Sequence, residues 1–313
     1  MQFSHTRALC AAVLLATAAP QALAQAAPAP QSEEQARAEA ESRARAIEAS
    51  LHPQTGAISI PAAHATLQLG DNYYFLPADE AKRVLTEGWG NPPDQVTDVL
   101  GMVFPKGKTF HDETWGAVVA YEDTGHVSDK DAASQDYDAV LQNMKDGAEE
   151  ANESAKEQGY ATSHIIGWAQ APTYDAATRT LIWARNIKFD GTDGNTLNYD
   201  VRTLGRTGVL SLNMVDTMDN LSSVQMAAKG LGSTVKFDNG SSYADFNPST
   251  DKLADYGLAG LVAAGAGLAV AKKVGLLGII LLFLKKGLVV LVAAGAGAWA
   301  WVKRKMGRGD QEA

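Results

Sequence analysis

Near the C-terminus the chain runs from residue 257 to 301 with almost no polar side chain, broken only by Lys272-Lys273 and Lys285-Lys286 and closed by Lys303, Arg304 and Lys305. That run divides the molecule, because whatever folds as a water-soluble domain must lie before it. Its three apolar pieces, 257–271, 274–284 and 287–302, each fall below the roughly 20 residues of a straight membrane span. Small, Gly-rich helices with snorkelling lysines can still insert. The expectation is a hydrophobic membrane anchor over 251–302, followed by a basic tail over 303–313. With both lysine pairs tolerated, one, two or three crossings can be drawn.

The opposite end carries a second apolar run of a different kind. Arg7 precedes a stretch from residue 8 to 19 that is too short to span a bilayer, and the small-residue motif Ala22-Leu23-Ala24 follows it. This is the three-part pattern of a secretory signal peptide over residues 1–24, with the mature chain expected to begin at Gln25. The single cysteine, Cys10, lies inside that run. A mature chain without cysteine has no disulfides, no thiol catalysis and no cysteine metal site.

Charge fixes the expected orientation. The whole chain carries −9, and setting aside Arg7 and the +6 of residues 272–313 leaves −16 for residues 25–271. An acidic exported part and a basic retained part follow the positive-inside tendency. The localisation expected is therefore the cytoplasmic membrane, with the soluble domain periplasmic. Leu261 to Gly267 and Leu291 to Gly297 both read LVAAGAG. The spacing of Ala263 with Gly267 and of Ala293 with Gly297 would let two helix backbones approach, giving a homo-oligomer through small-residue faces, unless the repeat is only Ala/Gly bias.

Residues 25–55 are Ala-, Pro- and charge-rich without a wide apolar stripe, and read as a flexible charged arm. The remaining 56–250 suits one domain by length. Strands are expected at 58–60, 65–69, 100–104, 115–121, 164–169, 180–189, 197–204 and 209–215. Helices are expected at 77–87, 134–158 (stopped by Gly159) and 219–228. Tyr174-Asp175-Ala176-Ala177 and Gly205-Arg206-Thr207-Gly208 read as hairpin turns, and Asp238-Asn239-Gly240 is a strong hairpin signal within 235–246. Successive hairpins imply an α+β domain, a mainly antiparallel sheet with packed helices, ahead of a C-terminal transmembrane helical anchor.

Several dispersed segments carry a family resemblance. They are Trp89-Gly90-Asn91-Pro92-Pro93, Leu100-Gly101-Met102, Val127-Ser128-Asp129 with Asp131-Ala132, Gly167-Trp168-Ala169 through Pro172 and Tyr174-Asp175 to Trp183-Ala184, Leu197-Asn198-Tyr199 with Leu204-Gly205-Arg206, and Tyr243-Ala244-Asp245-Phe246-Asn247 running into Asp251 and Tyr256-Gly257. In order and spacing the chain resembles the bacterial membrane-anchored proteins that share a long domain of unknown function. The resemblance implies the same anchored architecture and brings no reaction, substrate or catalytic residue with it.

The motifs that carry chemistry are few. His52, His64, His111, His126 and His164 show no ligand spacing and no HExxH, there is no G-x-S-x-G, and Gly230-Leu231-Gly232 lacks a third glycine. No cofactor is expected. Glu122, Asp123, His126, Asp129, Asp131, Asp136 and Asp138 form the densest polar cluster. Asp123, Asp129 and Asp131 are its candidate metal ligands, because alternating loop carboxylates suit calcium. An EF-hand-like loop from Asp129 would need glycine at Ser134, and Asp136 has a sufficient role in capping a helix. Trp168 and Trp183 with Tyr174, Arg185, Arg202 and Arg206 form a candidate binding face for a sugar or a partner protein, against the plainer reading of core and cross-strand tryptophans. Nucleic acid is excluded by the acidic domain. The functional expectation is a non-enzymatic binding or scaffold module acting on another envelope protein or a cell-wall component. The alternative is an envelope-polymer hydrolase using paired carboxylates such as Asp129 and Asp131.

Overall fold

In the computed structural model the described residues are 33–132 and 135–265. The signal peptide, Ser134, the second LVAAGAG copy, both lysine pairs and the basic tail lie outside them. The chain divides into two units, residues 1–42 and 43–313. Of the first, residues 33–42 are helical and belong to α1 (Glu33–Glu48).

The second unit is built on antiparallel pairing. Its strands are β1 (Gln54–Ile60), β2 (Ala65–Pro77), β3 (Val99–Pro105), β4 (Gly116–Glu122), β5 (His126–Ser128), β6 (Ser163–Asp175), β7 (Thr180–Phe189), β8 (Thr196–Leu204), β9 (Val209–Thr217), β10 (Val235–Phe237) and β11 (Leu253–Gly257). A nine-stranded sheet runs in the order β1-β2-β3-β4-β9-β8-β7-β6, with β10 added to β2. The hairpin signals at 174–177 and 205–208 close β6 onto β7 and β8 onto β9. Every pairing in this sheet is antiparallel, so the chain has the α+β class expected.

Period-two alternation gives the sheet two faces. Leu197, Tyr199 and Val201 of β8 and Leu210, Leu212 and Met214 of β9 point to one side. There they meet Val224, Ala228 and Leu231 of helix α4 (Leu221–Gly232). The opposite face has two apolar clusters. Met102 and Phe104 pack with Ala81, Val84 and Leu85, which belong to helix α2 (Ala78–Arg83) and the π turn after it. Leu181, Trp183, Leu204 and Val209 pack with Met144 of helix α3 (Tyr137–Glu157) and with Leu258, Leu261 and Val262 of helix α5 (Leu258–Ala264). The Asp136 side chain accepts from Ala139 N at 3.0 Å, capping α3, and Gly159 at φ +77° follows its end.

Three expectations meet different structure. Ile47 is buried with Ala44 and Leu51 against it, so the end of the charged arm is part of the domain's packing. The spacing 44, 47, 51 is a narrow helical stripe that a search for a wide one passes over. The turn at 238–240 forms, but its second arm does not return along β10. β10 instead completes the free side of β2 at Ala65 to Leu67, and the chain beyond goes into a 3-10 turn, Tyr243–Asp245. Thirdly, residues 251–264, expected as the start of the anchor, are folded into the domain: β11 pairs with β5, and Leu258, Leu261 and Val262 are fully buried. No helix among the described residues is long and apolar enough to cross a membrane. The membrane expectation therefore rests on residues 266–302, outside the described residues.

Candidate functional site

Polar and aromatic side chains concentrate where the chain leaves the domain toward its apolar run. β5 is short and bends toward the β8–β9 turn, with Gly125 N donating to Thr207 O at 2.9 Å. β11 lies parallel to it, and His126 N donates to Lys252 O at 2.8 Å. Gly125 sits at φ +95°, and a Cβ there would come within 2.7 Å of the Lys252 carbonyl oxygen, so this contact requires glycine.

Residues 238–252 then strap over β5. Ser242 and Asp245 form a reciprocal capping box that starts the 3-10 turn. The turn places the Tyr243 ring 4.2 Å from the His126 ring, and Phe246 stacks on His126 at 3.9 Å and 13°. The Tyr243 hydroxyl donates to Val127 O at 3.1 Å and accepts from Asp129 N at 3.2 Å. Burial and the neighbouring Asp129 push that phenol up to about 12. Arg206 grips Asp251 with two bonds, Nε to Oδ2 at 2.7 Å and Nη2 to Oδ1 at 2.9 Å, which holds the Asp251 carboxyl well below the usual carboxylate range.

Two of the three candidate carboxylates of the loop have partners of their own. Asp129 accepts from Tyr174 Oη at 2.8 Å and Arg179 Nη1 at 2.5 Å. Burial opposes its ionisation, but the Tyr174 and Tyr243 hydroxyls with Arg179 outweigh it and hold the acid below its ordinary value. Asp131 accepts from Gln135 Nε2 at 2.9 Å and lies 3.5 Å from Leu258 N, at the first residue of α5. Asp123 is exposed. No group of three or more His, Asp or Glu able to hold a metal is found among the described residues.

The candidate binding face divides in two. Trp168 stands opposite Arg185 on the β6–β7 ladder, and Trp183 opposite Asp200 on the β7–β8 ladder. Trp183, Arg185, Asp200 and Arg202 occupy adjacent strands beneath α3 and α5 rather than facing solvent, and Trp168 is partly buried against the same cluster. Trp183 is fully buried, and Arg185 and Arg202 are each 5% exposed. Arg202 pairs with Glu122 and lies 3.4 Å from Asp200 Oδ1, Arg185 lies 3.3 Å from Asp200 Oδ2 and also meets Asn198, and the Arg202 guanidinium sits 5.2 Å from the centre of the Trp183 ring. Tyr174 and Arg206 lie near the strap instead, bonded to Asp129 and to Asp251 respectively.

Sequence reasoning missed Arg179, Tyr243 and Phe246 as partners in this arrangement, and Asp200 as the centre of the buried ion group. The last had a visible signal, since Asp200 and Arg202 are opposite charges two apart in a strand and so share one face. The stacking of His126 had none, because its partners are more than a hundred residues away.

Residues 52–296 match a family described as "Protein of unknown function (DUF2167)". The chain belongs to this family. The match begins just before β1, takes in the strap, β11 and α5, and extends into the apolar run, so the family's unit includes both the domain and most of the segment beyond it. No curated protein matches. Among solved structures the DUF2167 chain is similar to the solution structure of cyanobacterial PsbP (CyanoP) from Synechocystis sp. PCC 6803, at 11% identity and a TM-score of 0.34, covering 61% of this chain and 94% of that one.

The enclosed imidazole gives the site a pH dependence with a definite sign. Burial lowers the His126 pKa from its ordinary 6.5, against the opposing pull of the Arg206 carbonyl, Asp129 and Asp251, while Arg179 adds to the lowering. The unfolded chain thus takes up the proton first. The stability that the neutral ring contributes is complete above about pH 6.5 and declines as pH falls through the folded value. The stability difference between wild type and His126→Phe should therefore shrink from pH 8 to pH 5 in urea titrations. A difference that stays constant over that range would show that the ring does not titrate with unfolding.

Proposed function

We propose that the chain is a non-enzymatic binding or scaffold module of the bacterial envelope, held on the outer side of the cytoplasmic membrane by residues 266–302. The observation that carries this reading is the way the chain is secured just before that run. Arg206 on Asp251, β5 on β11 and Asp131 at the start of α5 tie the exit segment to the sheet. A domain joined to its anchor through ordered contacts, rather than a loose linker, suits a part that must hold a set position near the bilayer. The acidic domain, the apolar run with its lysines and the N-terminal signal pattern supply the topology.

The hydrolase alternative needs two carboxyl groups facing one substrate cleft. Against it, Asp129 and Asp131 are engaged by separate partners. The depression beside β1 is lined by Gln54 and Ser59 as its only polar side chains besides apolar ones, with no acid among them.

A reporter that is active only outside the cytoplasm, fused after Thr250, should be active. Moving lysines across the membrane potential costs about 2.3 kcal/mol per charge per 100 mV. Only six residues, 266–271, separate the folded domain from Lys272, too few to span a bilayer, so neutralising Lys303, Arg304 and Lys305 should weaken the orientation more than neutralising Lys272 and Lys273. A fusion active only with a cytoplasmic reporter would remove the envelope reading.

A further inference from the structure

The two edges of the large sheet are unlike. β6, one edge, breaks register against β7 at three places, carries Pro172 and has α3 packed on it. Those are the ordinary protections of an unpaired edge. β1, the other edge, also has register breaks and an adjoining proline, Pro61, but no helix among the described residues packed on it and no charged side chain. No Asp, Glu, Lys or Arg occurs between Glu48 and Asp71, and Gln54, Thr55, Ala57 and Ser59 have exposed side chains. Irregular pairing at Gly56 and the following Pro61 bound a stretch in regular register from Ala57 to Ile60. Among the described residues no strand lies on its outer side. A depression of about 400 Å³ opens beside it, with Ile58, Ile60, Phe75, Pro77 and Leu100 in its lining.

We propose that β1 pairs antiparallel with β1 of a second copy of this chain about a two-fold axis, so that the sheet continues from one protomer into the other. An antiparallel pair of identical strands is self-complementary and forms a closed, isologous contact. Its backbone groups then satisfy one another. Charge selects the same place. Residues 25–271 carry −16, so two copies repel over most of their surface, and β1, which has no charged side chain, is where they approach at the least such cost. β1 is also the strand furthest along the sheet from β6 and β7, where α3 and α5 pack, so the pairing leaves the exit toward residue 266 unobstructed.

The test uses the full chain in its native membranes with Cys10→Ser, so that each introduced thiol is the only one. Single cysteines at the exposed positions Thr55, Ala57 and Ser59 are oxidised and read on non-reducing gels, with Ala171→Cys on β6 as comparison. Facing Cβ atoms in an antiparallel pair lie about 4.5–5.5 Å apart, close enough for a disulfide after small adjustment. The expected result is a band of twice the chain's mass at one or two of the β1 positions, falling off on either side, and none at Ala171. Adding Ala57→Lys and Ser59→Lys to Thr55→Cys should reduce any such band at least tenfold. No dimer band from any β1 position, an equal band at Ala171, or a cross-linked product of another mass would each overturn the second-copy pairing.

Discussion

Asp200→Ala is expected to cost about 3–5 kcal/mol of folding stability, because it strips both Arg185 and Arg202 of a partner in a place where water cannot replace it. Asp200 is 1% exposed, and its two oxygens lie 3.3 and 3.4 Å from the two guanidinium groups. Removing it leaves Arg202 with Glu122 and Arg185 with the neutral Asn198, so one buried positive charge has no counter-charge. Burial already pushes the Arg185 pKa down, with Asp200 the main opposing influence, and the variant loses that opposition. Urea unfolding of the purified chain reads the loss directly. Asp219→Ala on the exposed turn before α4 serves as comparison and should fall within about 0.5 kcal/mol of wild type. A cost near that of the surface variant would mean that the guanidinium groups reach solvent.

Trp183→Ala should destabilise by a similar amount, about 3–5 kcal/mol, for a different reason. Its ring is wholly enclosed between the sheet, α3 and α5, and carries the Arg202 guanidinium on its face. Gly265, the last described residue, lies so close that a Cβ there would be 2.6 Å from the indole. Truncation therefore leaves a cavity beneath the end of α5 as well as removing buried area. Amide exchange should speed up first in α5 and only later in β8 and β9. Since Trp183 and Asp200 both touch Arg202, the double variant should depart from additivity by about 0.5–3 kcal/mol. Strict additivity would argue against any coupling through that side chain.

The legible part of this fold was the local part. Turns such as Gly205 to Gly208 dictate which strands meet next, and runs such as 197–204 alternate cleanly enough to give face as well as extent. What the sequence concealed was pairing at a distance. The β10 segment has the composition of a hairpin arm and an excellent turn after it, yet the unfilled side of β2 outcompetes the local return. The apolar stretch after Gly257 reads as one block, because Leu258, Leu261 and Val262 differ in no way from residues further on; only the packing surface offered by α3 and Trp183 distinguishes them. In the candidate site, the aromatic and arginine residues were visible by type, but not their depth. Burial of Arg185 and Arg202 depends on what lies over the sheet, and nothing within a strand's own sequence records that.

The parallel contact of β5 with β11 has a mechanical meaning. A pull on the C-terminal segment along the axis of β11 would slide that strand past β5, loading its backbone bonds together in shear, as opposed to peeling them apart one at a time. The doubly bonded Arg206 and Asp251 would share the load just upstream of the strand. Tension arriving from the tail is thereby delivered into the β8–β9 corner of the sheet, and the strap with its enclosed His126 yields only after that corner does.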